Sequence, residues 1–259
     1  MFNHLIYEIK EGICTITLNR PDVYNALNPV LIQEITQAFL QAGADSSVRV
    51  VVLTGMGDKA FCSGADLKAG MNGSTSLGDS LRSGYNPMIL SIRDLAKPII
   101  CRLNGVAAGA GCSLALACDV IIASETARMS QIFVSIGLII DAGSSYFLPR
   151  LLGSQKAFEL ASTGRIVEAK ECLELGLVNK VFPPNELDLA VNQTAKMYAK
   201  SATKAIGLIK KMLNQSYHST LSEMLELEAV NQDIAGQTHD FMEGVSAFLG
   251  KTLPNFKGK

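Results

Sequence analysis

Two short segments of this 259-residue chain combine small side chains with backbone amides that could bind a negatively charged oxygen. The first is Ala60–Leu67, and the second is Gly109–Gly111, which opens a predicted helix. Glycine and alanine let a ligand approach the main chain, and the first N–H groups of a helix lack acceptors within it. Two such amides directed at one carbonyl oxygen would form an oxyanion hole, worth about 3 kcal/mol per donor in the transition state. Taken alone, either segment is better explained by close packing of two backbones.

Other common chemistries lack the residues that they need. The histidines are His4, His218 and His239, which are too scattered in the sequence to suggest a zinc site. The glycines after Val48–Thr54 do not have the spacing of a phosphate-binding loop, and Leu114 occupies the third glycine position of a dinucleotide fingerprint. We therefore expect no metal and no cofactor other than what the substrate carries.

Composition favours a compact protein that works on small molecules. Hydrophobic residues make up 48% of the chain and charged residues 18%, and 23 basic against 24 acidic residues leave a net charge of −1. This balance argues against nucleic acid as a partner. No apolar run is long enough to span a membrane, and residues 1–4 do not begin a leader peptide. The six cysteines contain no CxxC pair and mostly sit in apolar runs, so we expect buried thiols in a cytoplasmic protein.

The elements that would position the two segments alternate between strand and helix. This pattern predicts an α/β core with right-handed crossovers. The predicted elements before residue 125 are a hairpin of Leu5–Lys10 and Ile13–Leu18, a helix from Pro29 to Gly43 capped by Asn28, a strand at Val48–Thr54, a helix at Pro87–Leu95, a strand at Pro98–Leu103, a helix through Ala117 and a strand at Val120–Ala123. Residues 70–86, rich in Gly, Ser, Asn and Thr, are predicted to be a mobile loop.

The pattern changes near residue 195. Segments 203–215, 220–236 and 238–249 have helical periodicity with no strand between them. We therefore divide the chain into an α/β core at 1–195 and a helical region at 196–259. The apolar stripes of these helices either cover the core or pack against another subunit, and we favour the second.

Several motifs resemble the crotonase (enoyl-CoA hydratase/isomerase) superfamily, in the right order over nearly the whole chain. They are Val50–Gly55, Lys59–Leu67 and Asn104–Asp119, flanked by Leu18–Pro21 and Ala161–Arg165. The resemblance implies a spiral of ββα repeats, a helical C-terminal oligomerisation region, a homotrimer or dimer of trimers, and acyl-CoA substrates. It also implies that the amides of Ala65 and Ala110 hold the thioester oxygen.

The chain departs from the family where hydratases carry two glutamates. Ser113 occupies the first position, and the second falls at or near Phe133. Neither residue can act as a carboxylate base, which puts hydration in doubt. The segment Ile136–Arg150 instead resembles the phenylacetate-pathway isomerase branch, in which an aspartate at the position of Asp141 is the base.

The surroundings of Asp141 allow two interpretations. Three apolar residues precede it and a Gly/Ser turn follows, so partial desolvation would raise its pKa toward a range useful for proton transfer. Alternatively, Asp141 could cap the helix that contains Tyr146 and Phe147. With the resemblance we favour a base that moves a double bond, or rearranges a ring epoxide, next to a CoA thioester.

The remaining site predictions follow from the resemblance and from neighbouring positions. Residues expected at the acyl group are Ser63, Gly64, Asp66, Leu67, Gly109, Ser113, Phe133, Leu138 and Tyr146. Residues expected near coenzyme A are Arg20, Lys59, Ala60, Phe256 and Lys257, the last two reaching across from a neighbouring subunit. Asp66 also looks structural, as does Asp119, and Phe133 and Leu138 could equally be core residues. Ser113 could hydrogen-bond Asp141 or a water, or simply be a small residue in a tightly packed helix, and Tyr146 could orient Asp141.

Three other activities stay open. The family includes ring closure to dihydroxynaphthoyl-CoA, for which we find no tyrosine partners, and aryl-halide displacement, which typically uses a tryptophan that this chain lacks. The third is an inert acyl-CoA-binding protein, suggested by the loss of both glutamates.

Overall fold

The computed structural model describes residues 2–70 and 76–259, which form ten strands and twelve α-helices. The strands are β1 (Leu5–Lys10), β2 (Ile13–Leu18), β3 (Val50–Gly55), β4 (Ala60–Cys62), β5 (Ile99–Leu103), β6 (Val106–Ala108), β7 (Val120–Ser124), β8 (Arg128–Ser130), β9 (Ile166–Glu168) and β10 (Lys180–Phe182). The helices are α1 (Pro29–Ala44), α2 (Leu67–Gly70), α3 (Leu77–Ser80), α4 (Asn86–Arg93), α5 (Ala110–Leu116), α6 (Ser144–Leu152), α7 (Ser154–Thr163), α8 (Ala169–Glu174), α9 (Pro184–Ala199), α10 (Thr203–Ser216), α11 (Leu221–Gly236) and α12 (His239–Gly250).

The strands form two sheets. The larger has the order β1-β2-β3-β5-β7-β10 and is parallel except for the β1–β2 hairpin. The smaller has the order β4-β6-β8-β9, with only β8 and β9 antiparallel. Every residue of β3 is buried, as expected for a strand covered on both faces. The predicted α/β class is confirmed.

Local sequence signals account for the first helix. The Asn28 side chain accepts a hydrogen bond from the Leu31 amide at 2.8 Å, and Pro29 follows at the first helical position. The apolar stripe of α1 is buried in the main core, which also contains one face of β3 and all of α5. α9 covers the other face of the large sheet through a smaller cluster.

The chain between the two sheets brings the predicted oxyanion segments together. β4 follows β3 after a short turn, and β6 follows β5 in the same way, so each pair passes from the large sheet to the small one. β4 and β6 then lie side by side and parallel. Because the Ala60–Leu67 segment continues from β4 and α5 continues from β6, both segments leave the same end of the small sheet.

The C-terminal region consists of the predicted helices α10, α11 and α12. However, α9 runs across residue 195, so the expected boundary falls inside a helix, and the first break in the chain after it is at residues 200–202. No helix in the described part of the chain has the length and apolar character to cross a membrane.

The loop predicted at 70–86 is wrong for its second half. Residues 71–75 lie outside the described residues, but α3 and a π-helical turn at Leu81–Tyr85 run directly into α4. Ser76 caps this helical stretch by accepting a hydrogen bond from the Asp79 amide. The polar composition concealed the helix because most of these residues face solvent, whereas Tyr85 is buried.

Candidate active site

The turn after β4 meets the start of α5 at a glycine. Gly64 has a φ of +96°, which residues with a side chain rarely adopt. A Cβ on Gly64 would lie 2.7 Å from the carbonyl oxygen of Ala108 and 3.5 Å from the amide nitrogen of Ala110. At the next residue of α5, a Cβ on Gly111 would overlap the carbonyl of Cys62. The two amide-bearing segments therefore touch through their backbones.

The amides of Ala65 and Ala110 remain available to a ligand. The Leu27 amide donates to the Gly64 carbonyl at 2.7 Å, and the Asp66 amide donates to the Leu27 carbonyl at 2.9 Å. This is a parallel bridge at Ala65, in which the N–H of the bridged residue points away from its partner strand. Ala110 is the first residue of α5, so its N–H has no acceptor within the helix.

Two buried asparagines shape the approach to this turn. The Asn25 side chain donates to the carbonyl oxygens of Met56 and Ala60, at 3.1 and 2.9 Å. The Asn104 side chain donates to the carbonyls of Gly55 and Gly57, at 3.0 and 2.8 Å. These bonds hold the carbonyls at the end of β3, in the following turn and at the start of β4. Neither asparagine was singled out in the sequence, where a lone polar residue in a loop carries no signal.

Asp141 does not cap α6. The N-cap of that helix is Gly143, which makes no side-chain capping bond, so the capping interpretation is wrong. The Oδ1 atom of Asp141 is buried and has no hydrogen-bond partner among the described residues. Burial raises the pKa of this carboxyl group from 3.8 to about 6, because loss of water disfavours the charged form. An unpartnered carboxylate with this pKa is suited to general base chemistry.

Ser113 lies behind the acyl site rather than on its surface. It is fully buried, and its hydroxyl lies 3.0 Å from the Asp141 carbonyl oxygen and 2.7 Å from the Ser144 hydroxyl. Substrate contact by Ser113 stays a prediction, which the burial of its hydroxyl does not favour. Because Ser113 is three residues after Ala110 in α5, these bonds join the Asp141 backbone to the helix that begins with the Ala110 amide.

Tyr85 faces the same region, and sequence reasoning missed it. It is buried at the end of the π-helical turn, and burial together with the charges of Asp141, Cys62 and Asp66 raises the pKa of its phenol. Ile89, one turn later, lies within van der Waals reach of Gly143, since a Cβ there would be 3.4 Å from Ile89 Cγ2. The segment was interpreted as a loop, so no helical face was sought.

Phe133 and Leu138 lie in the segment before Asp141. Phe133 is buried, and its ring lies 3.7 Å from the point that a Cβ on Gly109 would occupy. Gly109 itself has a φ of +52° and donates its amide to the Ser130 carbonyl. Leu138 is half-buried against the main core, and its amide donates to the Phe133 carbonyl at 3.1 Å. Phe133 is thus placed beside the start of α5, whereas the position of Leu138 fits core packing as well.

Comparison with known proteins identifies the family. Residues 8–259 match the family model described as enoyl-CoA hydratase/isomerase. The chain belongs to the enoyl-CoA hydratase/isomerase family. It is 37% identical to the 1,2-epoxyphenylacetyl-CoA isomerase of Escherichia coli (strain K12) over 263 residues, which cover 100% of both chains. It is 39% identical to a probable enoyl-CoA hydratase of Rhodobacter capsulatus, covering 100% of this chain and 99% of the relative.

The fold comparison agrees with this assignment. A 1.8 Å crystal structure of an enoyl-CoA hydratase from Bacillus anthracis superposes with a TM-score of 0.93 at 32% identity, covering 99% of this chain and 100% of the other. The crotonase-like fold expected from the motifs is therefore confirmed. An enzyme of the enoyl-CoA hydratase/isomerase family acting on acyl-CoA is also confirmed, but relatives named as isomerases and as hydratases match about equally well.

Arg20 has a different role from the one expected near coenzyme A. Its Nη2 atom pairs with Asp66 Oδ2 at 2.9 Å, and its Nη1 atom donates to the Ala26 carbonyl at 2.5 Å. Both charged side chains are mostly buried. The pair fixes the loop after β2 to the turn that contains Ala65, so we assign Arg20 and Asp66 to that turn rather than to the ligand.

Tyr146 is directed away from Asp141. Its hydroxyl donates to the Asn214 carbonyl in α10 at 3.3 Å. The Arg150 guanidinium lies 3.5 Å over its ring, and the His218 ring stacks on it. These contacts do not favour the expectation that Tyr146 contacts the substrate or orients Asp141, because its hydroxyl joins α6 to α10.

The other expected residues are placed as follows. Leu67 and Lys59 are exposed, Ser63 is half-buried, and Ala60 is buried with its carbonyl bound by asparagines. Asp119 is structural as expected, because it pairs with Arg93 and Lys210.

The C-terminal tail folds back on its own α12. The amides of Lys257 and Gly258 donate to the two carboxylate oxygens of Asp240, at 2.6 and 2.7 Å. The Phe256 ring packs against Gly244. Within one chain, the tail lies on the C-terminal helices, and Lys257 keeps its ammonium group exposed.

Proposed function

We propose that this protein is an acyl-CoA isomerase that shifts a double bond next to the thioester, with Asp141 as its single proton carrier. The observation that supports this most strongly is the Asp141 carboxylate, whose Oδ1 is buried without a partner and whose pKa is raised to about 6. A base with this pKa is largely ionised at neutral pH, yet its conjugate acid is strong enough to return the proton.

The reaction needs a proton to leave one carbon and reach another. In a 3-enoyl-CoA, Asp141 removes a proton from C2, and the electron pair moves into the thioester to form a thioenolate. The protonated Asp141, whose proton can exchange with solvent, then delivers a proton to C4. The C3–C4 double bond supplies the electron pair for this new C–H bond, and the enolate pair returns to form the double bond between C2 and C3. No atom is gained or lost, so the reaction needs no cofactor beyond the coenzyme A of the substrate.

The amides of Ala65 and Ala110 are proposed to hold the thioenolate oxygen. Support comes from the contact between Gly64 and Ala110 and from the parallel bridge that leaves the Ala65 N–H unused. The hydrogen bonds from amides fixed in this way strengthen as negative charge develops on the oxygen. Each would stabilise the transition state by about 3 kcal/mol. Alanine at either position serves as well as glycine because only the N–H takes part.

Isomerisation is favoured over hydration because a second carboxylate is missing where hydratases place one. Ser113 occupies that position and is fully buried. Its hydroxyl lies within hydrogen-bond distance of the Asp141 carbonyl oxygen and of the Ser144 hydroxyl. The nearby Asp66 is paired with Arg20. Adding water requires a group that positions the water as well as one that moves the proton, whereas a proton shuttle requires only one acid.

The name of the E. coli relative suggests a second substrate class. With an epoxide on a ring derived from an aromatic acid, the same base and oxyanion hole would support rearrangement of the ring to an oxepin. Phe133, buried beside Gly109, would offer an aromatic surface at the start of α5. Phenylacetate catabolism is the pathway that this substrate would indicate.

Further proposals concern coenzyme A and assembly. Lys59 is exposed and free to approach the nucleotide, and Lys257 could do so from a neighbouring subunit. The C-terminal helices expose apolar side chains that include Leu221, Phe248 and Leu249, which suits a homotrimer or a dimer of trimers. All six cysteines are buried thiols, which suits the reducing conditions of the cytoplasm.

Incubation with a 3-enoyl-CoA in deuterated water tests the proposed reaction. We expect 2-enoyl-CoA as the product, with deuterium appearing at C4 as the shuttle exchanges with solvent and little 3-hydroxyacyl-CoA. Accumulation of the hydrated product as the main species would assign a hydratase instead. Binding of the acyl-CoA with no migration and no exchange at C2 would indicate an inert binding protein.

A further inference from the structure

A pair of buried serine hydroxyls lies behind the proposed base. Ser113 and Ser144 are both fully buried, and their Oγ atoms are 2.7 Å apart. The Ser113 hydroxyl is also 3.0 Å from the Asp141 carbonyl oxygen, which cannot donate. The Gly109 carbonyl oxygen also lies 3.3 Å from the Ser113 hydroxyl, so two carbonyls compete for its one proton and that of Asp141 is the nearer. When Ser113 donates to Asp141, its oxygen is free to accept from Ser144.

The backbone next to Asp141 is strained. Ala142 has a φ of +48° and Gly143 a φ of +87°, and the Ser144 amide donates to the Asp141 carbonyl at 3.0 Å. These values describe a tight turn with two successive residues in the left-handed region. That conformation is unfavourable for Ala142 because its Cβ crowds the backbone. Strained residues persist only where the surrounding structure holds them, and they concentrate at functional sites.

The carboxylate itself has little else to hold it. Its Oδ1 atom makes no hydrogen bond with any described residue, so no such bond to Oδ1 fixes the direction in which it points. The position of the carboxylate therefore depends on its backbone. That backbone is attached by the Ser113 hydroxyl to α5, three residues from the amide proposed to bind the thioenolate oxygen.

We infer that Ser113 and Ser144 are positioning residues that hold the Asp141 turn at a fixed distance from the Ala110 amide. This inference rests on the proposed function, because it assigns the pair to the same site. Ser113 thus keeps the position that hydratases fill with a glutamate but serves the base from behind. Removing either hydroxyl would release the strained turn and let water reach the carboxylate.

Three single variants test the inference: Ser113→Ala, Ser144→Ala and, as a matched control, Ser145→Ala, which alters an exposed neighbour. Displacing a catalytic group by about 1 Å lowers the rate roughly ten- to a hundred-fold. We expect losses of this size in kcat for the first two variants, with KM within about two-fold of the wild type. Because the two hydroxyls act on Asp141 as one unit, their effects should not add. The kcat of the double variant should be about that of the slower single variant. Ser145→Ala should match the wild type.

Titration of the Asp141 carboxyl carbon by ¹³C NMR provides a readout that does not depend on turnover. The titratable group that faces Asp141 from the π-helical turn is Tyr85, beside which lie Asp66 and Cys62. None of these changes in the variants. We expect the pKa of Asp141 to fall from about 6 toward 3.8 in Ser113→Ala and Ser144→Ala, because hydration of the freed carboxylate favours its charged form.

Unchanged kcat and an unchanged Asp141 titration in both serine variants would overturn the inference. Comparing two variants in different helices guards against misfolding of one of them, and thermal unfolding identifies any variant that is not folded. If the wild-type protein shows no isomerisation and no proton exchange, the proposed function fails, but the titration still decides whether the hydroxyls hold the turn.

Discussion

At the scale of single residues, the environment that makes Asp141 useful also costs stability. Its carboxyl group is buried without a compensating bond to Oδ1, and its pKa rises to about 6 for that reason alone. Ionisation of a desolvated group without a partner is unfavourable in the folded state. Active sites commonly retain such groups because the chemistry needs them.

Replacing Asp141 with asparagine should stabilise the protein at neutral and alkaline pH. The folded-state pKa lies above the unfolded value of 3.8, so the wild type loses stability as pH rises through about 6. The full shift corresponds to about 3 kcal/mol, and solvent at the half-buried side chain reduces this to roughly 1–2 kcal/mol. Urea unfolding of Asp141→Asn and wild type at pH 8 and pH 3.5 measures the difference. Asp141→Asn should be more stable than the wild type at pH 8 and equally stable at pH 3.5. A difference at pH 3.5 that disappears at pH 8 would contradict the burial of this charge.

Ionisation of the Asp141 carboxyl should also determine the pH dependence of turnover. If Asp141 is the proposed base, its ionised carboxylate is the reactive form, so kcat/KM should rise with pH and level off above a midpoint near 6. Initial rates with a 3-enoyl-CoA between pH 4.5 and 8 measure this limb. A rate that is flat down to pH 4.5 would mean that another group takes the proton.

Residue roles were predictable only where the partner lies close in sequence or where the family motif specifies it. Burial of Asp141 was predictable because an apolar run precedes it. The ion pair of Arg20 was not predictable, because its partner, Asp66, is 46 residues away. The contact of Tyr146 was not predictable either, because its hydroxyl bonds to a helix more than 60 residues later. A single sequence does not contain such long-range pairings.

At the scale of elements, the site depends on two backbones that approach closely. The two contacts depend on Gly64, which meets the Ala108 carbonyl, and on Gly111, which meets Cys62, because a side chain at either glycine would separate the backbones. Helix α5 is built almost entirely from small residues and is fully buried. This arrangement brings the two amides together by direct contact of the backbones, and the Arg20–Asp66 pair holds the turn that contains Ala65.

A comparison of two glycines tests this close approach. Gly64 and Gly57 both have positive φ values, +96° and +84°, but a Cβ would meet the Ala108 carbonyl only at Gly64 and nothing at Gly57. Alanine at either site should cost about 1 kcal/mol of stability through backbone strain. Only Gly64→Ala should also displace the amides, lowering kcat roughly 100-fold or more. Urea unfolding and initial rates measure the two effects, and equal rates for the two variants would count against the oxyanion hole.

Elements with complete local signals were predicted well. The β1–β2 hairpin, α1 with its Asn28 cap, and α10–α12 match their predicted positions to within a few residues. The helical stretch Leu77–Tyr85 was not predicted, because glycine and serine suggested a loop and the buried face there contains little besides Tyr85. Helix formation in that stretch comes from packing on α1 and continuity with α4, which the local sequence does not encode.

At the scale of the whole molecule, the C-terminal helices expose a continuous apolar surface. Phe248 and Leu249 are 83% and 75% exposed, and an apolar groove of about 450 Å³ runs between α10, α11 and α12. A surface of this kind on a single chain usually marks a contact with another subunit. The same helices carry the tail that ends in Phe256 and Lys257.

Introducing charge on this surface should break the assembly. We expect wild-type protein to have the mass of three or six chains by light scattering, and Phe248→Asp to shift toward one chain because an ionised side chain would be buried at the contact. Asp188→Ala, which alters an exposed residue of α9 in the core region, is a control for surface substitution. A wild-type protein that is monomeric at micromolar concentration would contradict the assignment of this surface to self-association.

The role of Asp141 as the proton carrier is tested most directly by deuterium uptake from solvent into a 3-enoyl-CoA. Uptake and double-bond migration are measured for wild type and Asp141→Asn, with the Kd for a saturated acyl-CoA measured on the same samples. We expect Asp141→Asn to lose both activities by roughly a thousand-fold, while its Kd stays within about three-fold of the wild type. Deuterium uptake and migration at the wild-type rate in Asp141→Asn would show that Asp141 is not the base.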